Sequence, residues 1–181
     1  MSDYKVQGWC PGALRPMASG DGLVARIRPH GGRLTAAQAL GLAKASLDHG
    51  NGEIDLSARA NLQLRGIAPA KHGALIADLS ALGLIDDGIE QESRRNLVVS
   101  PLWSPGDGTM ALAAAIEHAL AGAPVLPGKF GIALDPGARP VLGAISADIR
   151  VERSASGALI VRADGSTTGR AVTEAALPGA I

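Results

Sequence analysis

The side chains of this chain that are best suited to chemistry are basic and amide groups spaced two residues apart. There are two such runs: Arg26 and Arg28, then Arg59, Asn61, Gln63 and Arg65. Because successive side chains alternate across a β-strand, residues two apart share one face of it. The planar, fixed donors of arginine and asparagine suit multiple hydrogen bonds to carboxylates and oxyanions. The spacing therefore indicates a strand face that binds a polycarboxylate.

Further basic residues follow these runs. Arg94 and Arg95 precede a short apolar run, Lys129 follows a Pro-Gly turn, and His30 lies in the loop beside Arg28. Alternating polar residues are also typical of an antiparallel sheet with one face in water. Residues 59–65 contain no interleaved carboxylate, which favours a ligand-binding face, but the pattern alone leaves both interpretations open.

Charge and cysteine content exclude several classes of function. Seventeen Lys and Arg balance seventeen Asp and Glu, which is not typical of proteins that bind nucleic acid or membrane surfaces. The sequence contains a single cysteine, Cys10, so it cannot form an internal disulfide or hold an iron–sulfur cluster on four of its own thiolates. It has no secretory signal and no run of about 20 apolar residues. We expect a cytoplasmic protein.

Other catalytic and metal-binding patterns give no signal. The four histidines are not spaced as metal ligands are: they are His30, His49, His72 and His118. The glycine-rich loops lack the strand and helix context of a dinucleotide site. We therefore predict no metal-binding residue and an inert thiol at Cys10.

The elements that must position the basic residues form an α+β pattern. After an irregular segment at 1–20, we predict a strand at 23–28, a helix at 35–49, strands at 53–56 and 61–67, a helix at 71–82 and a strand at 84–89. This β-α-β-β-α-β order is typical of a ferredoxin-like domain with an antiparallel sheet. The first helix carries an apolar face of Ala36, Ala39, Leu40, Ala43 and Leu47.

A second α+β unit is predicted from residue 93 to residue 181. It contains a helix at 109–121 and short strands at 96–99, 131–134, 147–152 and 158–162. Pro178 and Gly179 make a stable terminal helix unexpected. The predicted organisation is therefore an irregular segment at 1–20, a ferredoxin-like half-domain at 21–92 and an incomplete second domain at 93–181.

Four ordered segments resemble nitrite and sulfite reductases and their relatives, which bind sirohaem and an iron–sulfur cluster. They are 19–34, with Arg-Ile-Arg-Pro-His-Gly-Gly-Arg; 50–67, with Arg-Ala-Asn-Leu-Gln-Leu-Arg; 95–101, with Arg-Asn; and 126–131, with Leu-Pro-Gly-Lys-Phe. The resemblance covers roughly residues 8–135. It implies a ferredoxin-like half-domain followed by the start of a sirohaem/iron–sulfur domain.

The resemblance also implies roles for the basic residues. Arg26, Arg95 and Lys129 resemble the catalytic residues that face the anion bound at the sirohaem iron. The residues that resemble those around the macrocycle are Arg28, Arg59, Asn61, Gln63, Arg65 and Asn96. The implied cofactors are a 4Fe-4S cluster and sirohaem, and the implied ligand is a tetrapyrrole polycarboxylate, either a precorrin or sirohaem.

Two positions bear on the branch of this family. Sulfite reductases carry a lysine where this chain has Gly131 and an arginine where it has Asp55. Gly131 and the Trp-Cys-Pro-Gly stretch at 9–12 are more similar to the precorrin-3B synthases. That branch implies oxygen-dependent hydroxylation and lactone formation on precorrin-3A before ring contraction in cobalamin biosynthesis. A sirohaem sulfite or nitrite reductase and a non-enzymatic tetrapyrrole-binding module remain the alternatives.

The cysteines that hold the cluster in this family have no counterpart in the chain. The resemblance therefore implies an N-terminal portion of such an enzyme, with a C-terminal cluster domain or a partner chain supplying the rest. We expect the isolated chain to be inactive as an oxidoreductase and unable to bind the cluster by itself.

Overall fold

The computed structural model describes residues 10–181. They form two compact units that interleave along the chain. Of its described residues, the first unit contains 10–27, 35–56 and 62–93, and the second contains 28–34, 57–61 and 94–181. Part of the predicted irregular segment, residues 1–9, lies outside the described residues.

The first unit is built on a four-stranded antiparallel sheet in the order β1-β2-β4-β3. The strands are β1 (Met17–Ser19), β2 (Gly22–Ile27), β3 (Ile54–Leu56) and β4 (Leu62–Ile67). Its helices are α1 (Ala36–His49), α2 (His72–Ala81) and α3 (Ile89–Arg94). Mixed helices and an antiparallel sheet confirm the predicted α+β class.

The core of the first unit is aliphatic. Its buried side chains come from both central strands and both long helices: Val24, Ala25, Ile27, Leu42, Ala45, Leu64, Ile67, Leu75 and Leu79. Burial of apolar area at about 25 cal/mol per Å² is the main force that holds the helices against the sheet.

The strand predicted at 84–89 is wrong. Residues 84–88 are irregular, and α3 begins at Ile89. Asp86, Asp87 and Gly88 favour a turn and a helix start, and Gly88 carbonyl accepts from Glu92 N–H inside the new helix. The edge position beside β2 is taken by β1, which pairs Met17 with Val24 and lies within the segment predicted to be irregular.

The start of α1 agrees with the sequence, but its predicted apolar face does not point to the core. Thr35 caps α1 through a capping box with Gln38. The residues that α1 buries are Leu42, Ala45 and Ser46, whereas Leu40 and Leu47 are 73% and 72% exposed. Because Ala and Leu residues lie on several sides of α1, the apolar periodicity of its sequence could not identify the buried side.

The second unit contains a five-stranded mixed sheet in the order β5-β6-β7-β8-β9. The strands are β5 (Leu97–Val99), β6 (Ile132–Asp135), β7 (Ile149–Arg153), β8 (Leu159–Ala163) and β9 (Arg170–Ala171). β5, β6 and β7 run parallel, and β8 and β9 join antiparallel. Helix α4 (Thr109–Ala121) connects β5 to β6, as parallel pairing requires a crossover.

One face of this sheet packs against α4 and the end of the chain. Buried residues of this core include Leu112, Ile116, Leu134, Val151 and Leu177. The prediction that the tail forms no stable helix is wrong, since α5 (Leu177–Ala180) follows a 3-10 turn at Glu174–Ala176. Pro178 lies in the first turn of α5. A backbone N–H there has no partner within the helix, so proline is tolerated.

Within residues 10–181, no helix is long and apolar enough to cross a membrane.

Candidate functional site

The predicted site residues are divided between the two units. Arg26, Gln63 and Arg65 belong to the first unit. The second unit holds the other six, which are Arg28, Arg59, Asn61, Arg95, Asn96 and Lys129.

In the first unit, Arg26 and Gln63 are partners across neighbouring strands. The register of β2 and β4 places them directly opposite each other. With its amide oriented to satisfy both groups, Gln63 accepts from Arg26 Nη2 at 2.8 Å and from Nε at 3.3 Å. The half-buried guanidinium of Arg26 is thus held in one orientation by its neighbour.

Arg65 forms an ion pair that the spacing did not predict. Its Nε donates to Asp55 Oδ2 at 2.6 Å between β4 and β3. This hydrogen bond, together with the carboxylate charge, raises the pKa of Arg65 above its ordinary value. Asp55 therefore offsets the charge that was predicted to serve a ligand.

The predicted strand face through 59, 61, 63 and 65 is wrong in its first half. β4 begins at Leu62, and Arg59 and Asn61 belong to a tight turn that starts at Ser57. Ser57 N–H donates to Asn61 carbonyl at 2.8 Å, and Ala60 has a φ of 55°. A left-handed residue interrupts strand alternation, so Arg59 and Asn61 do not share a strand with Gln63.

In the second unit, Arg28 and Asn96 form a buried polar pair. They are 4% and 8% exposed, and Arg28 Nε donates to Asn96 Oδ1 at 3.3 Å. Asn96 Nδ2 donates onward to Phe130 carbonyl at 3.1 Å. This chain of bonds joins the segment at 28–34, the residue before β5 and the loop before β6.

The same loop is held by Arg59. Its Nη1 donates to the carbonyl of Lys129 at 3.3 Å, while Lys129 itself is exposed. The structure therefore brings Arg28, Arg59, Asn96 and Lys129 into one cluster through the loop at 127–131.

Asn61 contributes a buried amide to this cluster. The register ends with the pair of Ile27 and Leu62, and Arg28 and Asn61 are the residues that adjoin this pair. Asn61 is 5% exposed, and its Nδ2 has no hydrogen-bond partner within the described part of the chain. An unsatisfied buried donor costs about 1–3 kcal/mol. A ligand acceptor placed beside Asn61 Nδ2 would therefore supply the hydrogen bond that this donor lacks.

Arg95 lies beside a carboxylate that the sequence did not indicate. Arg95 is 5% exposed, and its Nη1 is 3.7 Å from Glu117 Oε1 on α4. Glu117 also accepts from Gly31 N–H at 2.9 Å and bonds to His30 Nδ1 at 2.8 Å. These groups are 86 and 87 residues apart in sequence, so no local pattern could have paired them.

Opposing influences act on the pKa of Glu117. Burial, the largest of them, raises it, but the hydrogen bonds from His30 and Gly31 and the charges of Arg95 and His30 outweigh burial. The net effect holds the pKa of Glu117 below its ordinary value, so the carboxylate is ionised at neutral pH.

We name the set of Arg28, Arg59, Asn61, Arg95, Asn96 and Lys129 the basic cluster. It combines buried and exposed cations with buried amides, which suits an anion bearing several carboxylates. Among residues 10–181, no three His, Cys, Asp or Glu side chains are grouped as metal ligands are.

Comparison with known sequences finds a family model that matches most of the first unit. The model of the nitrite/sulfite reductase ferredoxin-like half domain matches residues 15–82, which span β1 through α2. This segment of the chain is therefore similar to that half domain. The resemblance predicted from the sequence is thereby confirmed.

A curated relative extends the similarity beyond the half-domain. Precorrin-3B synthase from Sinorhizobium sp is 32% identical over 178 residues, which are 96% of this chain. The chain spans 39% of the length of that relative.

A solved structure shares the fold of the half-domain and of the unit that follows it. The NirA protein of Mycobacterium tuberculosis matches with a TM-score of 0.61 and 18% sequence identity. The match covers 87% of this chain and 33% of NirA. At that identity the likeness concerns the fold alone.

Proposed function

We propose that this chain is the tetrapyrrole-binding part of a precorrin-3B synthase-like oxidoreductase, and that the basic cluster of its second unit binds the substrate's carboxylates. The single observation that carries the proposal is the buried Asn61 amide, whose Nδ2 has no hydrogen-bond partner within the described residues. Asn61 adjoins Leu62, which pairs with Ile27, the residue before the buried Arg28. A donor of this kind favours a ligand that brings its own acceptor.

The named relative supports the choice of ligand class. Similarity to a precorrin-3B synthase over 96% of the chain favours a precorrin as substrate. The reaction we propose for the whole enzyme is oxygen-dependent hydroxylation of precorrin-3A with lactone formation, before ring contraction. In it, Arg28, Asn61 and Asn96 orient carboxylates, and Arg95 and Lys129 provide positive charge.

The cofactors implied by the family fit this chain unequally. The donors of the basic cluster suit sirohaem, since its carboxylates match arginine and amide groups. When bound, sirohaem would supply an iron centre for redox chemistry. The chain's single cysteine does not fit a 4Fe-4S cluster, which takes four thiolates. We propose that a cluster, where present, is held by residues outside this sequence.

A sirohaem reductase is the second candidate, favoured by the half-domain family and by the fold shared with NirA. The Asp55–Arg65 ion pair argues against it. A carboxylate there lowers the positive charge in the first unit, where the resemblance to sulfite reductases implies an additional arginine. We propose that Arg26, Gln63 and Arg65 stabilise their sheet and contribute to ligand binding to a lesser degree.

Titration with uroporphyrin I, a stable polycarboxylate tetrapyrrole, tests the proposed function. We expect the purified protein to shift the porphyrin absorbance with saturation. Asn61→Ala should weaken binding, and Asn61→Asp should weaken it more, by about tenfold or more, because a charge-assisted hydrogen bond of about 1.5–3 kcal/mol is replaced by repulsion.

The control for the second change is Gln91→Glu on α3, which makes the same amide-to-carboxylate replacement in the first unit. The affinity of Gln91→Glu for uroporphyrin I should equal that of the unsubstituted protein. An unshifted porphyrin spectrum, or equal affinity of Asn61→Asp and the parent, would contradict the proposal.

A further inference from the structure

We propose that Glu117 is a positioning residue of the basic cluster, holding Arg95 and the loop after β2 in the geometry that receives a ligand carboxylate. The inference rests on the proposed function, because it concerns how the same site is held in place. Glu117 is not among the residues that the family resemblance indicates for the site.

The contacts of Glu117 join three separate parts of the second unit. Its two carboxylate oxygens accept from the 3-10 turn at His30–Gly32 through Gly31 N–H and through the ring of His30. The same carboxylate lies 3.7 Å from Arg95, just before β5. Its side chain is 11% exposed, so these contacts are made with little competition from water.

The turn that meets Glu117 depends on a glycine. Gly31 has a φ of 59°, a backbone conformation that residues other than glycine rarely adopt. A Cβ built at this position would lie 2.3 Å from Met110 Cε at the start of α4. The turn therefore lies close against α4, and its N–H reaches Glu117. Arg28, three residues earlier in the chain, enters the basic cluster from the same loop.

The groups that face Glu117 are the guanidinium of Arg95, from the segment before β5, and the imidazole of His30, from the turn. The adjoining core of α4 is apolar, through Leu112, Ala113 and Ile116. Glu117 is thus a carboxylate inside a cluster that receives carboxylates. Its charge opposes an anionic ligand, whereas its hydrogen bonds fix the groups that bind it.

These two effects predict opposite results for Glu117→Gln, which keeps the shape and removes the charge. If Glu117 acted only as a nearby negative charge, the variant would bind uroporphyrin I more tightly, and the gain would shrink as salt is added. As a positioning residue, its loss should weaken binding by about tenfold, the lower end for residues that orient the groups of a site. That loss should persist in about 1 M salt, where the Debye length is about 3 Å.

Two further variants separate positioning from loss of folding. Glu174→Gln makes the same chemical change at an exposed carboxylate that pairs with Arg153, and it should leave affinity unchanged. Leu177→Ala removes core packing beneath α4, so it should lower stability without changing affinity at temperatures where the protein is folded.

The outcomes distinguish the two proposals. Weaker binding by Glu117→Gln at low and high salt, with both controls unchanged, is the expected result. Unchanged or tighter binding by Glu117→Gln would overturn the positioning role while leaving the proposed function in place. Equal weakening by Leu177→Ala would also overturn it, since destabilisation would then explain the loss. Absence of porphyrin binding by the unsubstituted protein would overturn the proposed function, and this inference with it.

Discussion

Most polar residues of the basic cluster have specific hydrogen-bond or ion-pair partners. Arg28 donates to Asn96, Arg59 donates to the carbonyl of Lys129, and Arg95 lies beside Glu117. Asn61 Nδ2 is buried and has no hydrogen-bond partner within residues 10–181. Since pre-held donors lose little freedom on binding, this arrangement favours recognition of a polycarboxylate.

Glu117 should give the protein a distinctive acid sensitivity. Its folded pKa lies below the ordinary value of 4.5. A carboxyl group of this kind contributes stability above its unfolded pKa and loses that stability as the pH falls through its folded pKa. We therefore expect the unfolding free energy of the parent to exceed that of Glu117→Gln at pH 7, by about 1–3 kcal/mol.

The difference between parent and Glu117→Gln should shrink as the pH falls below about 4.5 and approach zero once Glu117 is protonated. Urea unfolding of both proteins across this range measures it. A difference that stays constant down to the lowest pH at which both proteins fold would show that Glu117 is not ionised in the native state.

At the scale of elements, the sequence located most helices and strands of both units but not every packing direction. The helices predicted at 35–49 and 109–121 are present as α1 and α4, because their formation depends largely on local sequence. The buried side of α1 and the turn at 57–61 depend on contacts with other elements. For the same reason, the spacing predicted the donors of the site but not Asp55 or Glu117, whose partners lie elsewhere in the chain.

The packing of α5 and α1 yields a direct stability comparison. Leu177 in α5 is fully buried, so Leu177→Ala should cost about 2–4 kcal/mol through lost apolar burial and a cavity. Leu40 in α1 is 73% exposed, so Leu40→Ala should change stability by about 0.5 kcal/mol or less. Urea denaturation of both variants tests the two placements.

Equal loss of stability in Leu177→Ala and Leu40→Ala would contradict the burial of Leu177 and the exposure of Leu40. A large loss of stability for Leu40→Ala alone would show that the apolar face predicted from the sequence is the buried face of α1.

At the scale of the whole molecule, one segment of the chain matches the nitrite/sulfite reductase ferredoxin-like half domain, and the longer segment after it contains a mixed sheet. The family match at 15–82 belongs to the first unit almost entirely, yet segments 28–34 and 57–61 within it belong to the second. These two segments carry Arg28, Arg59 and Asn61. The half-domain sequence thus supplies half of the basic cluster, and the remainder comes from residues 95–129.

The location of ligand binding is the central claim, and amide NMR of the 18.3 kDa chain with uroporphyrin I tests it most directly. We expect saturable shifts at Gly31, at Asn61 and at the side-chain amide of Asn96, with the β7–β9 region unperturbed. Shifts confined to β7–β9 or to α1, or none at saturating porphyrin, would contradict the assignment of the basic cluster as the binding site.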